Sequence, residues 1–272
     1  MRNAHSPLLG VAWLRESFRP LRLQPVAYTG IVVFALLVSG MLSGIPFVGT
    51  LLASLWMPYA SVLTGFAARD TLAGRTPVYA TLVAIARDKT SRYPLLMLGL
   101  LSSVGMELCV MVFELLGRDA LGKWRITSEG VDMASIASNF PLGAFAAALL
   151  VYVPLLMMTL FAPLLIVQMR QSVGKSLFYS FFGVLRSILP ALVWLLGMGL
   201  VSGLILAAFE ALFIALGAPR LLAFVAPLVV AIISAACQAG IWVMFRDIFA
   251  KSSPDGRMPE DLTPGEDGSI RR

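Results

Sequence analysis

Residues 13–43, WLRESFRPLRLQPVAYTGIVVFALLVSGMLS, place two kinds of segment back to back. The first is basic and half apolar: Arg15, Arg19 and Arg22 are interleaved with Trp13, Leu14, Phe18 and Leu21. The second, from Val26 to Ser43, carries no charge. A helix needs roughly 20 apolar residues to cross a hydrocarbon core, and 26–43 comes close. On a helix, Val11, Leu14, Phe18 and Leu21 step by three and four into one apolar stripe, and the three arginines form a stripe beside it. That is the pattern of a helix lying in a membrane interface, apolar side toward the acyl chains and arginines at the headgroups. The spacing therefore predicts an interfacial helix over 8–19, which Pro20 ends or kinks. Trp13, Arg15, Phe18, Arg19 and Arg22 are its expected lipid contacts, the arginines meeting anionic headgroups. The competing reading is an ordinary amphipathic helix packed on another part of the chain.

The pairing returns along the sequence. Six apolar runs are long enough to span, over 26–43, 48–68, 94–116, 141–167, 188–216 and 221–245. Two further amphipathic segments, 77–90 and 172–186, precede the third and fifth runs, and Thr76-Pro77 reads as the start of the first of them. Pro25, Pro94 and Pro190 stand at equivalent span openings, where a missing N–H is harmless. The second, fourth and sixth runs each end on arginine, at Arg69, Arg170 and Arg246. Of the 21 lysines and arginines, 17 fall on one side of the spans and 4 on the other. Basic residues gather on the cytoplasmic side, so both termini are expected there, with Tyr28, Tyr93, Trp194 and Trp242 as anchors near that boundary. The first two runs are joined by GIPFVG, a short Gly/Pro turn.

These features make the expected fold all-α: a polytopic membrane helical bundle of six transmembrane helices, both termini cytoplasmic, with interfacial amphipathic helices in a loose threefold repeat of interfacial helix plus helical hairpin. Residues 1–251 form a single transmembrane domain, and 252–272, rich in proline, glycine and acids, read as a disordered cytoplasmic tail. The first apolar run starts only near Val26 and no clean cleavage site follows it, so it is expected to be a retained helix. Composition agrees: 58% of the 272 residues are hydrophobic, 13% are charged and mean hydropathy is +0.86, where soluble domains carry about a quarter charged residues. The net charge of +6 is read as an orientation signal and not as a nucleic-acid footprint. Cys109 and Cys237 lie inside apolar runs and read as small buried hydrophobes.

Trp13, Phe18 and Pro25, then Ile45, Pro46, Gly49, Leu52 and Pro58 in IPFVGTLLASLWMP, then Leu185, Arg186 and Pro190, and finally FRDIF at 245–249, occur in an order that resembles a family of bacterial six-helix inner-membrane proteins with no assigned activity. The resemblance covers nearly the whole chain apart from 117–139 and the tail. Gln24 stands where family members often have Asn. It implies the fold and an inner-membrane location, and it supplies no catalytic residues.

Signs of enzyme chemistry are missing from the sequence. His5 is the one histidine, which excludes a His-pair zinc motif. There is no nucleophile elbow, no phosphate-binding loop and no Cys/His cluster. No cofactor, metal or catalysis is expected. Gly40/Gly44 and Gly199/Gly203 form G-x-x-x-G pairs, expected to pack inside the bundle and not to make a dimer face. Pro58, Pro154 and Pro163 are expected to be tolerated kinks. Ionisable groups inside spans are functional candidates by default, and Glu107, Glu114 and Glu210 qualify. Glu114 and Glu210 fall near span ends, Glu114 with Arg118 as a helical partner; Glu107 lies deeper and is expected to face the bundle interior toward the fifth span. The expected role is non-enzymatic membrane organisation or interaction with lipid and partners, with a permease for an apolar or lipid-like cargo as the alternative.

Overall fold

The structure, a computed structural model, describes residues 6–127 and 130–249; the tail beyond 252 lies outside them. The chain runs α1 (Pro7–Ser17), α2 (Arg19–Leu23), α3 (Pro25–Ser43), α4 (Gly49–Leu72), α5 (Ala80–Arg87), α6 (Lys89–Leu121), a hairpin of two-residue strands β1 (Ile126–Thr127) and β2 (Gly130–Val131), α7 (Met133–Ser138), α8 (Leu142–Thr159), α9 (Ala162–Met169), α10 (Val173–Arg186), α11 (Ile188–Ala215) and α12 (Pro219–Phe249). Six helical segments are long and apolar enough to cross a membrane: α3, α4, α6, α8 with α9, α11 and α12. Consecutive ones pack as hairpins, α3 on α4, α6 on α8 and α11 on α12.

Several boundaries differ from the sequence expectation for local reasons. The second amphipathic helix starts only at Ala80, since Thr76–Val78 are not helical and Tyr79 is its cap. The helix of the third span begins at Lys89, where Asp88 caps it by accepting from the Thr90 amide, so Pro94 lies inside a helix that it was expected to open. In the turn between α3 and α4, Phe47 has φ of 67° and a fully exposed side chain. The fourth span is broken. At Pro163, a missing N–H and the ring's clash with the preceding turn interrupt the helix. The Ser180 hydroxyl of α10 enters the gap, donating to the Met157 carbonyl at 2.7 Å and accepting from the Phe161 amide at 3.0 Å. Pro163 therefore sits in the first turn of a new helix, a correction to the tolerated kink expected there. Ser180→Ala leaves the Phe161 amide without its acceptor and is expected to lower stability by about 1–3 kcal/mol; unchanged unfolding in detergent would refute the bridge.

The core sits at the end of the bundle that carries Arg69, Arg170 and Arg246. There α4, α9 and α12 converge, and Phe66, Phe161, Trp242, Phe245 and Phe249 make edge and tilted ring contacts 5.3–6.3 Å apart. The amphipathic helices surround this end. Helix α1 packs on α11 and α12, α5 on α4 and α6, and α10 on α8 and α9. Helix α10 is built inside out relative to a soluble helix. Ser176, Ser180 and Val184 face the protein, and Phe178, Tyr179, Phe182 and Leu185 face outward.

Helix α1 corrects the expectation for the N-terminal segment. Its buried side is Leu9, Gly10, Trp13 and Ser17, with Leu14, Phe18 and Leu21 half-buried and Val11 exposed. Trp13 is 0% exposed, so it is not a lipid contact. Gly10 allows this seat, because a Cβ there would stand 2.3 Å from the Pro190 carbonyl oxygen of α11. Arg15, Arg19 and Arg22 remain exposed, as a headgroup contact requires. Tyr28, Trp194 and Trp242 are likewise buried in packing, and Tyr93 alone of the four expected anchors is exposed.

Candidate functional site, a cavity among the spans

Between α3, α4, α6, α8 and α12 lies a half-open cavity of about 480 Å³, inside the range of small-molecule sites, roughly 300–1,000 Å³. Apolar side chains such as Val32, Met57, Leu98, Met106 and Leu155 make most of its wall. Pro58 and Pro163 line it as well, so the broken fourth span forms part of its surface. Helices α3 and α8 both line it and do not pack on each other as the hairpin partners do, and Leu36, Met57, Met106, Tyr152 and Leu156 of its lining are exposed, so it opens on this side. Among the described residues, the lining contains no Lys, Arg, His, Asp or Glu.

Its polar groups are Ser39, Ser54, Ser61, Thr64, Ser102, Tyr152, Thr159 and Gln238. Five of the hydroxyls are spent on their own helices. Ser39 donates to Ala35 O at 3.0 Å, Ser54 to Thr50 O at 2.8 Å, Thr64 to Ala60 O at 2.9 Å, Ser102 to Leu98 O at 2.8 Å and Thr159 to Leu155 O at 2.9 Å. Thr64 also lies 3.3 Å from the Gln238 amide.

None of these residues was singled out from sequence. A serine or threonine in an apolar run usually satisfies itself by bonding the preceding turn, so single positions carry little signal. Gln238 does carry one, as an amide within the sixth apolar run, although it is polar without being ionisable.

The three carboxylates chosen from sequence do not converge. Glu107, Glu114 and Glu210 are all exposed. Glu107 faces away from the interior, which corrects its expected placement: α6 buries its other side on α4 and α8, not on α11. Glu114 makes no ion pair with Arg118; the ion pairs among the described residues join other groups. The G-x-x-x-G expectation is also corrected. A Cβ at Gly40, Gly199 or Gly203 would meet nothing within 4 Å, so these glycines pack on no neighbour.

A second polar constellation ties α1 to the end of α12. The Trp13 indole donates to Asp247 at 2.9 Å, and Arg246 grips Glu16 with two bonds of 2.8 and 3.0 Å. Ser17 donates to the Trp13 carbonyl at 2.8 Å and accepts from the Trp194 indole at 3.0 Å. Across the bundle, Arg170, in a left-handed conformation at the end of α9, reaches Asp88 and Thr90. The hydrogen bonds from Arg246 hold the Glu16 carboxyl below its ordinary value against the opposing effect of burial. Burial raises Asp88, but hydrogen bonds from Ser91, Thr90 and Arg170 outweigh it and lower that carboxyl too. Carboxyls depressed in the folded state contribute stability that is complete above their unfolded pKa and is lost as pH falls through the folded one. Unfolding midpoints are thus expected to hold level down to about pH 4.5 and then fall. Glu16→Gln should lower the neutral-pH value by about 1 kcal/mol, discounted for partial exposure, and flatten the acid limb. An unaltered limb in that variant would disprove the contribution.

No family model, curated protein or solved structure matches the chain. Its functional reading rests on its own geometry.

Proposed function

We propose that this chain is a non-enzymatic, multi-pass protein of a bacterial inner membrane that admits a lipid or similarly apolar molecule into the cavity between α3 and α8. The observation that carries this reading is the cavity itself: half-open, uncharged, and walled by spans at a helix break. Broken helices beside a mid-membrane site are a recurrent device for binding between spans. An uncharged lining disfavours ions and polar solutes, whose hydration it does not replace.

The basic asymmetry of 17 against 4 supports both termini, and the convergent core, on the cytoplasmic side. The threefold repeat is proposed from the sequence pattern, and the amphipathic helices lie where such a repeat would put them. Helix α5 lies on α4 and α6, α10 lies on α8 and α9, and α1 lies on α11 and α12. The outward face of α10, with Lys175 and Arg186 beside its aromatic residues, supports a seat in the membrane interface.

The test is photolabelling of the full chain in nanodiscs with a phospholipid carrying a diazirine in its acyl chain. Label should concentrate on Met57, Met106 and Tyr152. Ser102→Trp, which fills the cavity, should remove that label and leave Leu196 and Leu200 on exposed α11 unaffected. Uniform labelling, unchanged by Ser102→Trp, would overturn the proposal.

A further inference from the structure

We infer that the molecule this cavity selects is an uncharged lipid bearing a free hydroxyl, held by that hydroxyl among the serine and threonine oxygens and the amide of Gln238. The inference rests on the reading of the cavity as a lipid site and adds the chemistry of the head group.

The first argument is charge. A phosphate, carboxylate or ammonium drawn among these side chains would lose its hydration and find no counter-ion in the lining. An unpaired ion inside a membrane protein is strongly unfavourable. The exposed arginines of α1 and α2, Arg15, Arg19 and Arg22, stand outside this lining.

The second argument is the direction of the hydrogen bonds. A hydroxyl has one proton and two lone pairs. Ser39, Ser54, Thr64, Ser102 and Thr159 each give their proton to a carbonyl one turn back. Toward a ligand their oxygens are therefore acceptors. A ketone or ester oxygen placed against them would oppose lone pair to lone pair. A ligand that donates is the complement.

The third argument is that the lining also donates. Gln238 has two amide protons, and whichever way the amide is turned its contact with Thr64 uses at most one. The Ser61 and Tyr152 hydroxyls line the same space and make no side-chain hydrogen bond among the described residues. An alcohol hydroxyl donates once and accepts twice, so it satisfies both sets together. At about 480 Å³ the space takes a head and the first part of its chains, and the mouth between α3 and α8 leads the remainder into the bilayer. Diacylglycerols and isoprenoid alcohols share this chemistry.

The experiment uses the full-length protein in phosphatidylcholine nanodiscs and two diazirine-tailed probes, a diacylglycerol and an isoprenoid alcohol. Each is supplied as the free alcohol, as its O-methyl ether and as its phosphate monoester. Loss of one hydrogen bond to a buried group corresponds to about tenfold in affinity. The free alcohol is therefore expected to label the peptides containing Met57, Met106 and Tyr152 about tenfold more than either capped form. Comparing the two alcohols shows which backbone is preferred. Gln238→Leu should bring the ratio of alcohol to ether toward one, and Tyr152→Phe supplies the same reading if Gln238→Leu fails to fold. Equal labelling of the cavity by all three forms, or a preference for the phosphate, would overturn the hydroxyl assignment and leave the lipid cavity standing. Absence of cavity labelling by every probe would overturn both.

Discussion

Trp13→Ala is expected to lower the stability of the folded chain by about 3–5 kcal/mol, the range for removing a fully enclosed aromatic side chain. Trp13 is 0% exposed and is wedged by α1 against α11 and α12. Its removal empties a large volume and leaves the Asp247 carboxylate without the indole N–H at 2.9 Å. Trp13→Phe separates the two effects: it keeps most of the ring volume and loses the hydrogen bond, for an expected loss of about 1 kcal/mol. Denaturant unfolding in micelles, followed by circular dichroism, measures both. If Trp13→Ala changed stability by less than 0.5 kcal/mol, as expected for a side chain resting on lipid, the seat of α1 described above would be wrong.

Gly99→Leu should be nearly as damaging, at about 3 kcal/mol or more. A Cβ at Gly99 would lie 2.8 Å from the Leu55 Cα and 2.8 Å from the Ser54 carbonyl oxygen. Both are backbone atoms, which cannot rotate aside, so α4 and α6 must separate. Their contact forms one wall of the cavity, and the variant is therefore also expected to lose cavity labelling by the lipid probes. Gly203→Leu is the matched control. Its Cβ would meet open space, and replacing glycine within a helix favours the helix by up to about 1 kcal/mol. Equal stability losses in the two variants would contradict the packing described here.

These two glycines mark a limit of pattern reading. The G-x-x-x-G spacing pointed to Gly40, Gly199 and Gly203, which touch nothing. Close approaches to other helices occur instead at Gly10, Gly99 and Gly240, among others, where no such pattern appears. Spacing shows which residues share a face of one helix; whether a second helix arrives there depends on how all the helices pack. The same holds for Glu107, whose depth in the apolar run was readable but whose side of the helix was not.

Local sequence was enough for the elements: six helices of sufficient length and apolarity, three amphipathic segments beside them, and the basic endings at Arg69, Arg170 and Arg246. These follow from local composition and period, because in a membrane most backbone groups are satisfied within their own helix. Tertiary structure alone decided which faces meet. It turned Trp13 inward, aimed Glu107 outward, let Ser180 enter the fourth span and gathered five spent hydroxyls with Gln238 around one space. In an apolar chain within an apolar solvent, hydrophobicity does not distinguish inside from outside. Small residues, single hydrogen bonds and shape make that choice, and they act between segments far apart in the chain.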